Sequence, residues 1–160
     1  MVTLSPVLLA EDEEFDVLMM QRAFRKAEVR NALIVVRDGA ETIAYLEGQS
    51  KYSQRQDFPE PCLLLLDLKL PVLDGFQVLE WIQERPRWRD GLPIIVLTGS
   101  GQESDRKRAL DLGAHGYLIK PADADGLVGM VASLKARFLE LHRAGADSQE
   151  RNALLSRRPR

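Results

Sequence analysis

Short, nearly continuous apolar runs punctuate the chain at Val7–Ala10, Leu33–Val36, Cys62–Leu66, Pro93–Leu97 and Tyr117–Ile119. Successive side chains of a strand point to opposite faces, so runs without polar alternation predict strands covered on both sides. Segments of helical period lie between them. In the first, Val17, Met20, Phe24 and Ala27 recur at steps of three and four, and the others fall at about residues 40–48, 75–84, 102–112 and 123–143. Strand alternating with helix five times predicts an α/β fold: a five-stranded parallel sheet, doubly wound through right-handed crossovers into a three-layer sandwich. Chemistry in such folds collects at the carboxyl ends of the strands.

Two stretches lack a period. Gly48–Pro61, rich in Ser, Gln and charge, reads as an extended surface loop. Beyond about Arg143 the chain turns polar and ends in Arg157-Arg158-Pro159-Arg160, which predicts a domain over residues 1–143 and a flexible tail over 144–160. With 160 residues, 45% of them hydrophobic, one domain with an ordinary core is expected, without room for a DNA-binding output domain. A formal net charge of −2 recommends neither nucleic acid nor membrane as partner, and Val7–Ala10 is too short for a signal peptide or a span, so a cytoplasmic location is expected. The single cysteine, Cys62, is expected as a buried, reduced thiol, and His115 and His142 in structural or solvated roles.

The strand ends change the picture. Glu11 and Asp12 follow the first strand, Asp67 ends the third, Thr98 the fourth and Lys120 the fifth. Each alone has an ordinary explanation, but together they converge on one edge of one sheet. Three carboxylates so placed repel one another and call for a compensating cation. With no cysteine or histidine among them, a hard, oxygen-liganded ion such as Mg²⁺ fits. A carboxylate between a metal and the Lys120 ammonium is equipped to attack a phosphoryl group, and Asp67, central in the sheet, is the expected nucleophile.

The segments Leu9-Ala10-Glu11-Asp12-Glu13, Leu64-Leu65-Leu66-Asp67-Leu68-Lys69-Leu70-Pro71, Asp74-Gly75, Ile95-Val96-Leu97-Thr98 and Gly113-Ala114-His115-Gly116-Tyr117-Leu118-Ile119-Lys120-Pro121 resemble, in order and spacing over about residues 5–143, the signature blocks of two-component response regulator receivers. The resemblance implies a flavodoxin-like (βα)5 fold, with Asp67 as phosphoacceptor and a sensor histidine kinase as phosphodonor. It implies Asp12 as a direct metal ligand, Glu11 as a ligand through water and the backbone carbonyl of Lys69 as a further ligand. It also implies Lys120 as the phosphate partner, Thr98 and Tyr117 as the conformational switch, and a cis Lys120–Pro121 bond. The Tyr52–Pro61 insertion, with Arg37-Asp38-Gly39 upstream, is similar to single-domain regulators that partner phytochrome-type kinases. The chain departs from the commonest pattern at Glu11, Lys69 and the Gly99-Ser100-Gly101 turn.

Two rivals fare worse. A haloacid-dehalogenase-type phosphohydrolase needs a second aspartate two positions after the nucleophile, where Lys69 stands, and a flavodoxin-type site would have its phosphate repelled by Glu11-Asp12-Glu13-Glu14. A turnover enzyme is therefore not expected. In the last helical segment Leu127, Val131, Leu134, Phe138 and Leu141 form one stripe. A helix of that length should overshoot the sheet and leave Phe138 and Leu141 exposed, for which a second copy of the chain is the expected cover. The resemblance to receivers implies that such a homodimer forms through the fourth helix, fifth strand and fifth helix.

Overall fold

The computed structural model describes residues 4–139. The strands are β1 (Val7–Ala10), β2 (Leu33–Val36), β3 (Leu63–Leu66), β4 (Ile94–Thr98) and β5 (Gly116–Ile119). They pair in parallel in the order β2-β1-β3-β4-β5, the flavodoxin-like arrangement. The helices are α1 (Glu14–Lys26), α2 (Gly39–Glu47), α3 (Gly75–Gln83), α4 (Pro86–Gly91), α5 (Glu103–Asp111) and α6 (Ala124–Leu134).

Both faces of the sheet are covered, which is why the strands carry no polar alternation. Leu8, Leu64, Leu66 and Val96 pack with Tyr45 of α2 and Val78, Leu79 and Ile82 of α3. Leu9, Leu63, Leu65 and Leu97, of opposite parity, share the second core with Met20 and Phe24 of α1 and Leu127, Val131 and Leu134 of α6. Cys62 is buried as expected, its Sγ 3.5 Å from the Ser5 carbonyl oxygen. His115 has a structural role as expected, its Nδ1 accepting from the Ile94 amide at 3.0 Å. His142, Leu141 and the expected boundary at residue 143 lie outside the described residues.

Three features were not anticipated. The helix α4, six residues long with Pro86 at its start and Trp88 buried beneath it, is too short to show a period. The segment expected as an extended loop is instead built: a 3₁₀ turn at Ser50–Tyr52 brings Tyr52 and Phe58 onto Tyr45, with ring centroids 4.9 to 6.3 Å apart. The Arg55 guanidinium donates to the carbonyls of Tyr45, Leu46 and Phe58, satisfying the C-terminal end of α2.

The last helix corrects an expectation. Regular α-helix stops at Leu134 and a π-helical turn follows over Lys135–Leu139. Phe138 and Leu139 of that turn are both buried. Phe138, expected to be exposed, is only 4% exposed and belongs to the core that contains Phe24.

Candidate functional site

Each strand end delivers one part of the site. Parallel pairing aligns Ala10 with Leu66 and Thr98 with Ile119, so the residues that follow β1 and β3, and those at the end of β4 and after β5, emerge on one edge of the sheet. The Asp67 amide donates to the Ala10 carbonyl at 3.1 Å and the Lys120 amide to the Thr98 carbonyl at 2.8 Å, fixing both backbones. The helix behind β3 approaches closely because Gly75 has no side chain: a Cβ there would lie 2.4 Å from the Asp67 carbonyl oxygen.

The five expected strand-end residues therefore share one edge. Glu11, Asp12 and Asp67 each offer a carboxylate oxygen, all within 4.8 Å of one another. Glu11 and Asp67 are buried and Asp12 is exposed. The Lys120 ammonium donates to Glu11 Oε2 at 2.6 Å, Asp16 Oδ2 at 2.8 Å and Asp67 Oδ2 at 3.1 Å. Asp67 Oδ1 accepts from the Lys69 amide at 3.3 Å, and Glu11 Oε1 from the Glu13 amide at 3.1 Å.

The electrostatics reflect one cation divided among three anions. Burial pushes the Glu11 carboxyl up to about 7, with the charge of Asp67 adding to the rise, because a shared ammonium returns less than desolvation takes. Burial alone would lower the Lys120 ammonium, but hydrogen bonds from it to Asp16 and Glu11 and the charge of Asp67 outweigh that and hold it above its ordinary value. Two buried carboxylates beside an exposed third, all hard oxygen donors, fit a divalent cation.

Thr98 is buried at the end of β4, its Oγ1 accepting from the Ser100 amide at 3.3 Å. The Tyr117 hydroxyl donates to the Ser100 carbonyl at 2.7 Å, so Ser100 stands between the two expected switch residues. The Lys120–Pro121 bond is trans, since the described residues contain no cis peptide. The cis expectation is thus corrected: trans is favoured by about 0.5–1 kcal/mol, and Lys120 reaches all three carboxylates from it.

Asp16 escaped the sequence reading, and Ser100 entered it only as part of the Gly99-Ser100-Gly101 turn, without a contact to either switch residue. Asp16 lies in the first turn of α1, where an acid is helpful at any helix start and so carries little signal. Only its position just after Glu11-Asp12 hinted that the helix begins at the site.

A family model for the response regulator receiver domain matches residues 7–132. The chain belongs to that family. Receivers act in two-component signalling, and receiver-only response regulators are signalling proteins rather than enzymes that turn over a substrate. The response regulator Rcp1 of Synechocystis sp. is 34% identical over 134 residues, 84% of this chain and 88% of its own. The crystal structure of response regulator RPA3017, in red light signaling of R. palustris, superposes with a TM-score of 0.82 at 31% identity, covering 90% of this receiver and 100% of that chain. The phosphorylated cyanobacterial phytochrome response regulator RcpA gives 0.79 at 30% identity, with the same coverage of both chains. Rcp1 is also known in an Mn²⁺-bound form, TM-score 0.76 at 33% identity, covering 89% of this receiver and 99% of that chain. No described helix is long and apolar enough to cross a membrane.

Proposed function

We propose that this receiver accepts a phosphoryl group on Asp67 from a sensor histidine kinase, with Mg²⁺ bound at the site. The observation that carries the reading is the Lys120 ammonium 3.1 Å from Asp67 Oδ2, beside the trio Glu11, Asp12 and Asp67. Asp67 attacks the phosphorus of a phosphohistidine, the P–N bond breaks, an acyl phosphate forms and the leaving imidazole takes up a proton. Lys120 compensates charge on the transferred group. Asp12, Asp67, the Lys69 carbonyl and, through water, Glu11 would hold the ion, which supplies further charge neutralisation. The Mn²⁺-bound Rcp1 supports a divalent cation, and the phytochrome and red-light relatives support a kinase of phytochrome type. Phe15 and Leu18, 71% and 50% exposed on α1 beside the site, supply an apolar surface on which such a kinase docks.

Radiolabelled acetyl phosphate with Mg²⁺ should label the parent and leave Asp67→Asn unlabelled. Undiminished label in that variant would sink the reading, and a phosphotransfer screen against the kinases of the source organism would name the donor.

Signalling follows from Thr98 and Tyr117. Drawn toward a phosphoryl oxygen, Thr98 gives up the Ser100 amide, and the turn that holds the Tyr117 hydroxyl loosens. A charge-assisted hydrogen bond biases such a two-state element by about 1.5–3 kcal/mol. Thr98→Ala should still take phosphate but lose the phosphorylation-dependent shift of the Tyr117 ring resonances in NMR spectra; an unaltered shift would uncouple the pair.

Pairing of two copies no longer draws on Phe138, which is buried. It rests on Ile119, 54% exposed on the edge strand β5, with Leu110 of α5, 36% exposed. Sedimentation should show a dimer that Ile119→Glu dissociates, and a parent monomeric with and without phosphate would refute it.

A further inference from the structure

The turn Arg37-Asp38-Gly39 lies outside the constellation above, yet it touches the loop that leaves Asp67 and the first residue of α1. Its Gly39 amide faces the Pro71 carbonyl at 3.4 Å. A Cβ on Gly39 would stand 2.1 Å from the Leu73 carbonyl oxygen and 2.7 Å from the Leu73 Cβ, so α2 begins in backbone contact with the loop that leaves Asp67. The Arg37 guanidinium donates to Glu14 Oε2 at 2.8 Å, just past the acidic pair Glu11-Asp12.

The loop gripped by Gly39 is not relaxed. Val72, between the two residues that Gly39 meets, has φ of 68° and is 76% exposed. A β-branched side chain rarely adopts that left-handed conformation, and it persists where surrounding contacts determine it. The contact at Gly39 is one, and the Gly75 amide bound to the Leu68 carbonyl at 2.9 Å is another.

The turn is itself tethered. Glu41 accepts from the Arg37 amide at 2.8 Å and from the Tyr52 hydroxyl of the insertion, while its own amide donates to Asp38 Oδ1 at 2.7 Å. Lys51, just before the insertion, adds an ion pair to the same carboxylate at 3.3 Å.

We propose that Arg37-Asp38-Gly39 is a positioning element for the Asp67–Leu73 loop, and that the insertion acts on phosphoacceptance through Tyr52 and Glu41. This rests on the phosphoacceptor reading above. Gly39 admits the loop, Glu41 holds the turn that carries Gly39, and Tyr52 holds Glu41. Nothing in this chain of contacts touches the reacting atoms, so its effect is on where Asp67 and the Lys69 carbonyl stand.

Gly39→Ala separates this role from helix stability, because alanine at the start of α2 favours the helix while its methyl displaces the loop. Mn²⁺ binding, read from the electron paramagnetic resonance signal of the free ion, should weaken about tenfold, as losses of supporting contacts around ligands do. Labelling by acetyl phosphate should slow by about 100-fold, the cost of roughly 1 Å of misplacement. Glu41→Gln and Tyr52→Phe should shift both readouts the same way by smaller factors. Gly129→Ala, at an α6 position where a methyl meets nothing within 4 Å, should shift neither. A folded Gly39→Ala with parental Mn²⁺ affinity and labelling rate would overturn the proposal; were that variant unfolded by circular dichroism, parental values in Glu41→Gln would do so. Failure of the parent to label at all would overturn the phosphoacceptor reading instead, and the Mn²⁺ affinities would still judge the turn.

Discussion

Replacing Lys120 with methionine should cost this receiver about 3 kcal/mol of stability in metal-free buffer, the loss expected when one partner of a buried ion pair is removed. The side chain is of similar length and apolar, so packing is largely kept and the charge alone is lost. The side chains left behind are only 3% exposed at Glu11 and 8% exposed at Asp67. Without the ammonium, two desolvated carboxylates face each other with no counter-charge. Asp67→Asn should partly rescue Lys120→Met, since it removes one of the two, and the double variant should deviate from additivity by about 1–3 kcal/mol. Denaturant unfolding of the four proteins in EDTA measures the cycle. Equal midpoints for the parent and Lys120→Met would show that the ion pairs contribute nothing and that Lys120 is held by other contacts.

Much of this arrangement is legible in the amino-acid sequence. Strands such as Leu63–Leu66 announce themselves because both sheet faces are buried, and a parallel sheet places every strand end on a common edge. Glu11, Asp12, Asp67, Thr98 and Lys120 follow from that rule without any knowledge of side-chain geometry. What stayed hidden depends on contacts with no period. Tyr45, Tyr52 and Phe58 meet through a turn whose geometry no repeat encodes, and Arg55 acts on carbonyls, which every residue carries. Asp16 is a surface acid in sequence and an ion-pair partner in space, 104 residues from Lys120. Phe138, expected beyond the end of the sheet, is buried in the core that contains Phe24 of α1, a tertiary contact that helix length does not encode. The resemblance implies a cis Lys120–Pro121 bond, yet the trans form gives Lys120 the reach to Glu11, Asp16 and Asp67.

Mg²⁺ should raise the unfolding midpoint of the parent, and Asp12→Asn should abolish most of that rise. An ion that binds only the folded state stabilises it by about 2.7 kcal/mol at a concentration 100 times its dissociation constant. The folded state alone brings Glu11, Asp12 and Asp67 within 4.8 Å, joining residues 55 positions apart (67 minus 12) in the chain. Asp12 is the informative position. Glu11 and Asp67 are already engaged by Lys120, and altering either disturbs that ammonium as well as the ion. Asp12 is exposed, so its amide variant should unfold like the parent in EDTA and differ only once Mg²⁺ is added. Its affinity for the ion should fall about tenfold or more, because an amide oxygen replaces one of the charges that make a hard cation welcome. An Mg²⁺-dependent rise of parental size in Asp12→Asn would remove Asp12 from the ligand set and leave the buried pair to hold the ion, whereas no rise in the parent itself would mean that Lys120 alone balances Glu11 and Asp67.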